Sequence, residues 1–78
     1  MYKIHVMISG KVQGVFFKTS AQDKANKLNL TGWAKNIFNN AVEIIAEGSR
    51  EELSKFTGWL QLGPPNATID KISIEWSD

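Results

Sequence analysis

Residues 10–18 read Gly-Lys-Val-Gln-Gly-Val-Phe-Phe-Lys, and this stretch joins a short alternating strand to a helical pattern. Two glycines, Gly10 and Gly14, allow the backbone to approach a bound oxygen without a Cβ in the way. Two lysines, Lys11 and Lys18, lie on either side of Gly14 in this stretch. A strand, a glycine loop and a helix N-terminus together present backbone N–H groups that suit an anion. The stretch therefore predicts a phosphate-binding loop, although similar glycine spacing also occurs in ordinary turns.

Composition limits the classes of protein that this loop can serve. The 78 residues predict one domain, 1–78, and 42% hydrophobic residues are enough for a single core. The chain has no cysteine, which excludes disulfides and thiolate metal sites. A net charge of +1 gives no electrostatic basis for nucleic-acid binding. Neither a signal peptide nor a membrane span is evident. This composition fits a cytoplasmic protein that recognises an anion locally; we further expect a monomer that needs no metal or cofactor.

Alternation of apolar and polar residues predicts four strands, and helical spacing predicts two helices. The predicted strands cover residues 2–9, 30–36, 41–47 and 69–76, and the predicted helices cover residues 17–28 and 49–62. Asn39 and Asn40 predict a hairpin turn between the second and third strands. Ser49 and Glu52 predict a capping box for the second helix. Ser20 and Asp23 suggest a later start for the first helix, but its apolar stripe reaches back to Phe17, and we favour the earlier start.

The element order β-α-β-β-α-β is the split βαβ, or ferredoxin-like, pattern. It predicts an α+β fold in which two helices cover one face of a four-stranded antiparallel sheet. His5 is the only histidine, and we expect it on the surface without an acidic or nucleophilic neighbour. One imidazole cannot build a metal site. Glu43 and Glu47 are expected to face solvent.

Residues 10–17 and 30–36, the latter Leu-Thr-Gly-Trp-Ala-Lys-Asn, resemble the acylphosphatase family. Further matches follow in the family's order: Val42-Glu43, Ala46-Glu47-Gly48, Phe56 with Trp59-Leu60, and Gly63-Pro64-Pro65 with Ala67. The resemblance implies hydrolysis of acyl phosphates to a carboxylate and inorganic phosphate, without a metal or a covalent intermediate. It also implies the split βαβ fold that the element order predicts independently.

The same resemblance implies roles for particular residues. The family's loop ends in an arginine that grips the phosphoryl oxygens, and Lys18 stands at that position here. Asn36 matches the asparagine that positions the attacking water. The phosphoryl oxygens would be bound by backbone N–H groups of the loop, namely those of Gln13, Gly14, Val15, Phe16, Phe17 and Lys18. Lysine for arginine implies a slowed enzyme; the alternative is an inactive module that binds phosphate or carboxylate anions.

Two further points concern the whole chain. Family members usually continue into another short strand, whereas this sequence stops at Asp78, so we expect an exposed sheet edge. RNA-recognition modules share the element order, but they stack bases on aromatic residues of the central strands. The third predicted strand, residues 41–47, contains no aromatic residue and two glutamates, which argues against RNA as a partner.

Overall fold

Four strands and two helices follow one another in the predicted order. The computed structural model describes residues 1–13, 16–38 and 40–78. The elements are β1 (Tyr2–Lys11), α1 (Phe17–Lys27), β2 (Thr31–Ile37), β3 (Ala41–Gly48), α2 (Arg50–Leu62) and β4 (Thr68–Ser77). Each predicted boundary lies within two residues of the observed one. In the predicted hairpin turn, Asn40 has a φ of 55°, which is left-handed, whereas Asn39 lies outside the described residues.

The strands form one antiparallel sheet in the order β2-β3-β1-β4, as the ferredoxin-like pattern predicts. Near the end of β1, Ser9 pairs with Ala41 of β3. Ala41 in turn pairs with Ile37, the last residue of β2. The strands β1 and β2 therefore finish at the same end of the sheet. The loop that follows β1 and the start of α1 belong to this end.

Both helices pack on one face of the sheet, which confirms the predicted architecture. The strand residues that point toward the helices alternate with residues that point to the open face, as the pleat requires. The buried cluster draws on both helices, the two central strands β1 and β3, and the segments that flank them. Its members are Ile4, Val6, Ile8, Val12, Phe17, Ala21, Leu30, Val42, Ile44, Ala46, Leu53, Phe56 and Leu60. Among the described residues, no helix is long and apolar enough to cross a membrane.

The helix α1 begins at Phe17, which is the earlier of the two starts that the sequence allows. The Ser20 N–H donates to the Phe16 carbonyl oxygen at 2.9 Å, so Ser20 lies inside the first turn and does not cap the helix. Phe17 is only 1% exposed, and its ring centroid lies 6.0 Å from that of Trp59 in α2. Burial of this phenyl ring outweighs the capping signal further along the chain.

On the open face of the sheet, His5 has acidic neighbours, and the expectation that it has none is wrong. His5 Nε2 lies 2.7 Å from Glu43 Oε2, and His5 Nδ1 lies 3.6 Å from Glu75 Oε1. Lys35 Nζ lies 3.7 Å from the other oxygen of Glu43. Glu43 is therefore half-buried in a cluster of charges rather than solvated, whereas Glu47 is exposed as expected. The partners come from four different strands, and their proximity follows from strand order and register.

Two glycines make a matched test of this backbone. Gly32 in β2 has a φ of 143°, and a Cβ there would clash with the Ile45 carbonyl oxygen of β3. Gly58 lies within α2, and no atom lies within 4 Å of the place that its Cβ would take. Gly32→Ala should lower the free energy of unfolding by about 1–3 kcal/mol. Gly58→Ala should raise it by about 0.5–1 kcal/mol, because alanine favours the helix.

Urea denaturation of both variants and the wild type measures the difference. Equal effects of the two substitutions, or a stabilised Gly32→Ala, would contradict the observed backbone of β2.

Candidate functional site

The loop between β1 and α1 is shaped by residues on both sides of the two that the structure leaves undescribed. Gly10 has a φ of 133° and lies at a register shift between β1 and β4. Val12 is buried in the core and fixes the start of the loop. At the far side, Phe16 has a φ of 61° and its ring is 80% exposed. Gly14 and Val15, which the sequence assigns to phosphate binding, lie outside the described residues.

The N-terminus of α1 carries no cap of its own. Phe16 occupies the N-cap position without a side-chain hydrogen bond, and the first turn contains no acidic residue. The first turn of a helix leaves its N–H groups without intrahelical partners. Those of Phe17, Lys18 and Thr19 precede the first paired N–H, that of Ser20. Together with the helix dipole, such groups favour a negatively charged ligand.

The second helix, α2, has an N-terminus that is capped by the protein's own residues. The Glu52 N–H donates to Ser49 Oγ at 3.2 Å, which is one of the two hydrogen bonds of the predicted capping box. Glu51 and Glu52 place negative charge in the first turn of α2. Both helices pack on the same face of the sheet. The start of α1 has neither a side-chain cap nor an acidic residue in its first turn.

Lys18 supplies the positive charge in the first turn of α1. It is half-buried, and none of the ion pairs within residues 1–13, 16–38 and 40–78 involves it. Lys35 and Lys55, by contrast, lie close to carboxylates. The Lys18 ammonium therefore has no protein carboxylate competing with a bound anion among the described residues. Phe17, its neighbour, is buried, so only its backbone N–H is available to a ligand.

Asn36 lies at the same end of the sheet as the loop. It is exposed, and it pairs with Val42 of β3. Gly32, Ala34 and Asn36 alternate along β2 opposite buried residues of β3, so Asn36 is on the helix-facing side of the sheet. It is also next to Ile37, where β2 ends. The polar amide is thus carried on the edge strand toward the face that α1 covers.

Gln13 joins these two halves of the site, a feature that sequence reasoning missed. Gln13 Nε2 donates to the Ile37 carbonyl oxygen at 2.7 Å and to the Ala41 carbonyl oxygen at 2.9 Å. The sequence assigned only the backbone of Gln13 to phosphate binding. Its side chain reaches across to the β2–β3 hairpin, a contact between residues 24 and 28 positions apart in the chain. A glutamine before a loop glycine gives no signal of such a partner.

An open cleft beside this contact brings several predicted residues together. It is lined by Gln13, Lys35, Asn36, Ile37, Phe38 and Asn40. Two sequence-predicted site residues, Gln13 and Asn36, therefore share one surface, whereas Lys18 lies in the first turn of α1 outside that lining. In the part of the chain that the structure describes, no group of three His, Asp or Glu side chains is placed to hold a metal ion. The cleft lining includes the ammonium of Lys35 and the amide side chains of Gln13, Asn36 and Asn40.

Sequence comparison relates the chain to a known family. The sequence model of the acylphosphatase family matches residues 4–78. An acylphosphatase of Coxiella burnetii is 49% identical over 72 residues, which cover 92% of this chain and 76% of the relative. The chain belongs to the acylphosphatase family. An acylphosphatase of Pelotomaculum thermopropionicum is 42% identical over 76 residues, which cover 97% of this chain and 83% of that one.

A solved structure gives the same answer for the fold. The crystal structure of an acylphosphatase from Bacillus subtilis superposes with a TM-score of 0.94 at 36% identity, covering 99% of this chain and 86% of the other. Family membership places the chain among hydrolases that act on acid anhydrides, as the resemblance predicted.

An anion at this N-terminus should stabilise the folded protein. A ligand at one hundred times its Kd adds about 2.7 kcal/mol to the free energy of unfolding. For a domain of this size that corresponds to a rise in Tm of roughly 10–20 °C. Thermal unfolding in increasing inorganic phosphate, with chloride at matched ionic strength as the control, measures the effect.

The Lys18→Ala variant should need more phosphate for the same rise in Tm, since it lacks the nearby cation. Equal shifts in phosphate and chloride would show that the start of α1 binds no anion specifically.

Proposed function

We propose that this protein hydrolyses acyl phosphates to a carboxylate and inorganic phosphate, without a metal ion. The phosphoryl group is held by backbone N–H groups of residues 13–18 and by the Lys18 ammonium. Asn36 positions the attacking water. The observation that carries the proposal is the uncapped start of α1, which has a lysine in its first turn and no acidic residue. In this proposal the protein acts on small molecules as a cytoplasmic monomer, with no nucleic-acid partner.

The chemistry explains why so few side chains suffice. The water oxygen attacks phosphorus, and the bond from phosphorus to the acyl oxygen breaks. The bonding electrons leave with the carboxylate, which needs no proton, so no general acid is required. The protons of the attacking water remain on the phosphate that forms. Phosphoryl transfer depends mainly on positioning and on stabilisation of charge, and a general base contributes little to a loose transition state.

Each of the proposed site residues has one role in this reaction. The first-turn N–H groups of α1 and the Lys18 ammonium neutralise charge on the non-bridging phosphoryl oxygens. The carboxamide of Asn36 has both donor and acceptor atoms, so it can hold a water and direct its lone pair. Asn36 lies on an edge strand at the sheet end where the loop begins. This position supports attack from the side of the hairpin.

Lys18 sets the expected rate. Guanidinium offers a planar fork that binds two phosphoryl oxygens, whereas ammonium is a compact charge on a flexible stem. With lysine where the family carries arginine, one charge-assisted hydrogen bond replaces two. We therefore propose a slowed enzyme. The same lysine is the reason for a second candidate function, in which the protein is an inactive family member that binds phosphate or carboxylate anions.

The Asn36 role predicts a selective loss of turnover. Asn36→Ala should reduce kcat by roughly a hundredfold or more, since positioned water is lost, while inhibition by inorganic phosphate stays within about threefold of wild type. Wild-type hydrolysis should continue undiminished in excess chelator. Steady-state assays with a generic acyl phosphate measure all three.

A matched control is Asn26→Ala, which makes the same change at an exposed position of α1. Near-normal turnover in Asn36→Ala would remove Asn36 from the mechanism, and loss of turnover in chelator would remove metal independence.

The Lys18 role predicts changes in both directions. A hydrogen bond to a charged group contributes about 1.5–3 kcal/mol, so Lys18→Arg should raise turnover roughly ten- to a hundredfold. Lys18→Ala should lower turnover and weaken phosphate inhibition. Turnover and phosphate inhibition of both variants are measured beside the wild type.

The outcomes separate the two candidate functions. A wild type and a Lys18→Ala that are both inactive, beside an active Lys18→Arg, would assign the natural protein to anion binding. Wild-type activity in Lys18→Ala would exclude Lys18 from the site.

A further inference from the structure

The side chain of Gln13 is a bridge between the loop and the hairpin that carries Asn36. A carboxamide nitrogen has two hydrogens, and Gln13 Nε2 directs them to two carbonyl oxygens, at 2.7 Å on Ile37 and 2.9 Å on Ala41. Both donors of this nitrogen are therefore used within the protein. The side chain is partly buried, which shields the pair of hydrogen bonds from competition by water.

The two acceptors are the residues that close the β2–β3 ladder. Ile37 and Ala41 face each other as the last pair between these strands. Gln13 therefore grips both strands of the hairpin at once, one residue away from Asn36. The Gly10 N–H adds a second link, because it donates to the Asn40 carbonyl oxygen at 3.2 Å. The hairpin end is therefore held both from the end of β1 and from the loop.

We propose that Gln13 is a positioning residue whose carboxamide fixes the separation between the phosphate loop and the Asn36 amide. The inference rests on the proposed function, in which a phosphoryl group lies at the loop and a water lies at Asn36. The loop and Asn36 belong to different elements. The Gln13 side chain connects the loop directly to the hairpin that carries Asn36, through its hydrogen bonds to Ile37 and Ala41. A displacement of about 1 Å between reacting groups can lower a rate by about a hundredfold. A clamp at this point therefore controls turnover rather than phosphate affinity.

Two substitutions remove the clamp in different ways. Gln13→Met keeps the length of the side chain and removes both donors. Gln13→Glu places a carboxylate against two carbonyl oxygens, which repel it. Gln61→Met makes the same chemical change as the first variant at an exposed position in the last turn of α2. It serves as the matched control and should keep wild-type turnover.

Steady-state kinetics with an acyl phosphate give the first measurement. Gln13→Met should lower kcat roughly ten- to a hundredfold, while KM and inhibition by inorganic phosphate change by less than about threefold. Gln13→Glu should lower kcat further at neutral pH. Its introduced carboxyl faces carbonyl oxygens, which disfavours the charged form and raises its pKa. Once protonated it donates one hydrogen bond, so its kcat relative to wild type should recover as the pH falls.

A merely structural role would give another pattern. Loss of stability alone lowers the amount of folded protein, and kcat per folded molecule then stays at the wild-type value for both variants. That result, or a parallel pH profile for Gln13→Glu and the wild type, would overturn the proposal.

Nuclear magnetic resonance tests the clamp independently of catalysis, with inorganic phosphate as the probe. In the wild type, phosphate should shift the backbone amides of Phe17 and Lys18 and also the side-chain amide of Asn36. In Gln13→Met the α1 amides should still respond, whereas the Asn36 response should be lost. Retention of the Asn36 response would overturn the clamp. If the wild type proves inactive, the proposed function fails, and this titration alone decides the role of Gln13.

Discussion

Burial of Phe17 is the constraint on which the functional end of the sheet depends. The ring packs against Trp59, and Phe17 Cε2 lies 3.0 Å from the position that a Cβ on Gly63 would take. Burying such a side chain contributes about 1.5–3 kcal/mol, more than the roughly 1 kcal/mol of a serine cap. The helix therefore starts at Phe17, ahead of Ser20. Its unpaired N–H groups and Lys18 are placed beside the loop as a result of packing in the core.

Much of this arrangement could be predicted from local sequence. Period-two alternation identifies strands such as β1, and the apolar stripe that starts at Phe17 identifies α1. Ser49 followed by Glu52 marks the start of α2 because capping acts over three residues. The family resemblance adds Asn36 and Lys18 as site residues. Their chemical roles remain proposals, since neither periodicity nor register determines what a side chain binds.

The features that sequence reasoning missed all join residues that are distant in the chain. His5 in β1 is hydrogen-bonded to Glu43 in the neighbouring strand β3. The Gln13 side chain donates to the carbonyl oxygens of Ile37 and Ala41. Such contacts depend on the register of a completed sheet. A single sequence states which residues alternate, but it does not state which residue of one strand lies beside which residue of another. The expectation of an isolated His5 was wrong for this reason.

The pairing of β1 with β4 has a consequence for how the protein is made. The first strand lies in the middle of the sheet, and Lys3 pairs with Ser77 near the other end of the chain. During synthesis β1 therefore leaves the ribosome long before its partner exists. Pairing between such distant segments requires closure of a long loop, which slows folding. Until β4 emerges, the edge of β1 that faces away from β3 has unpaired N–H and C=O groups.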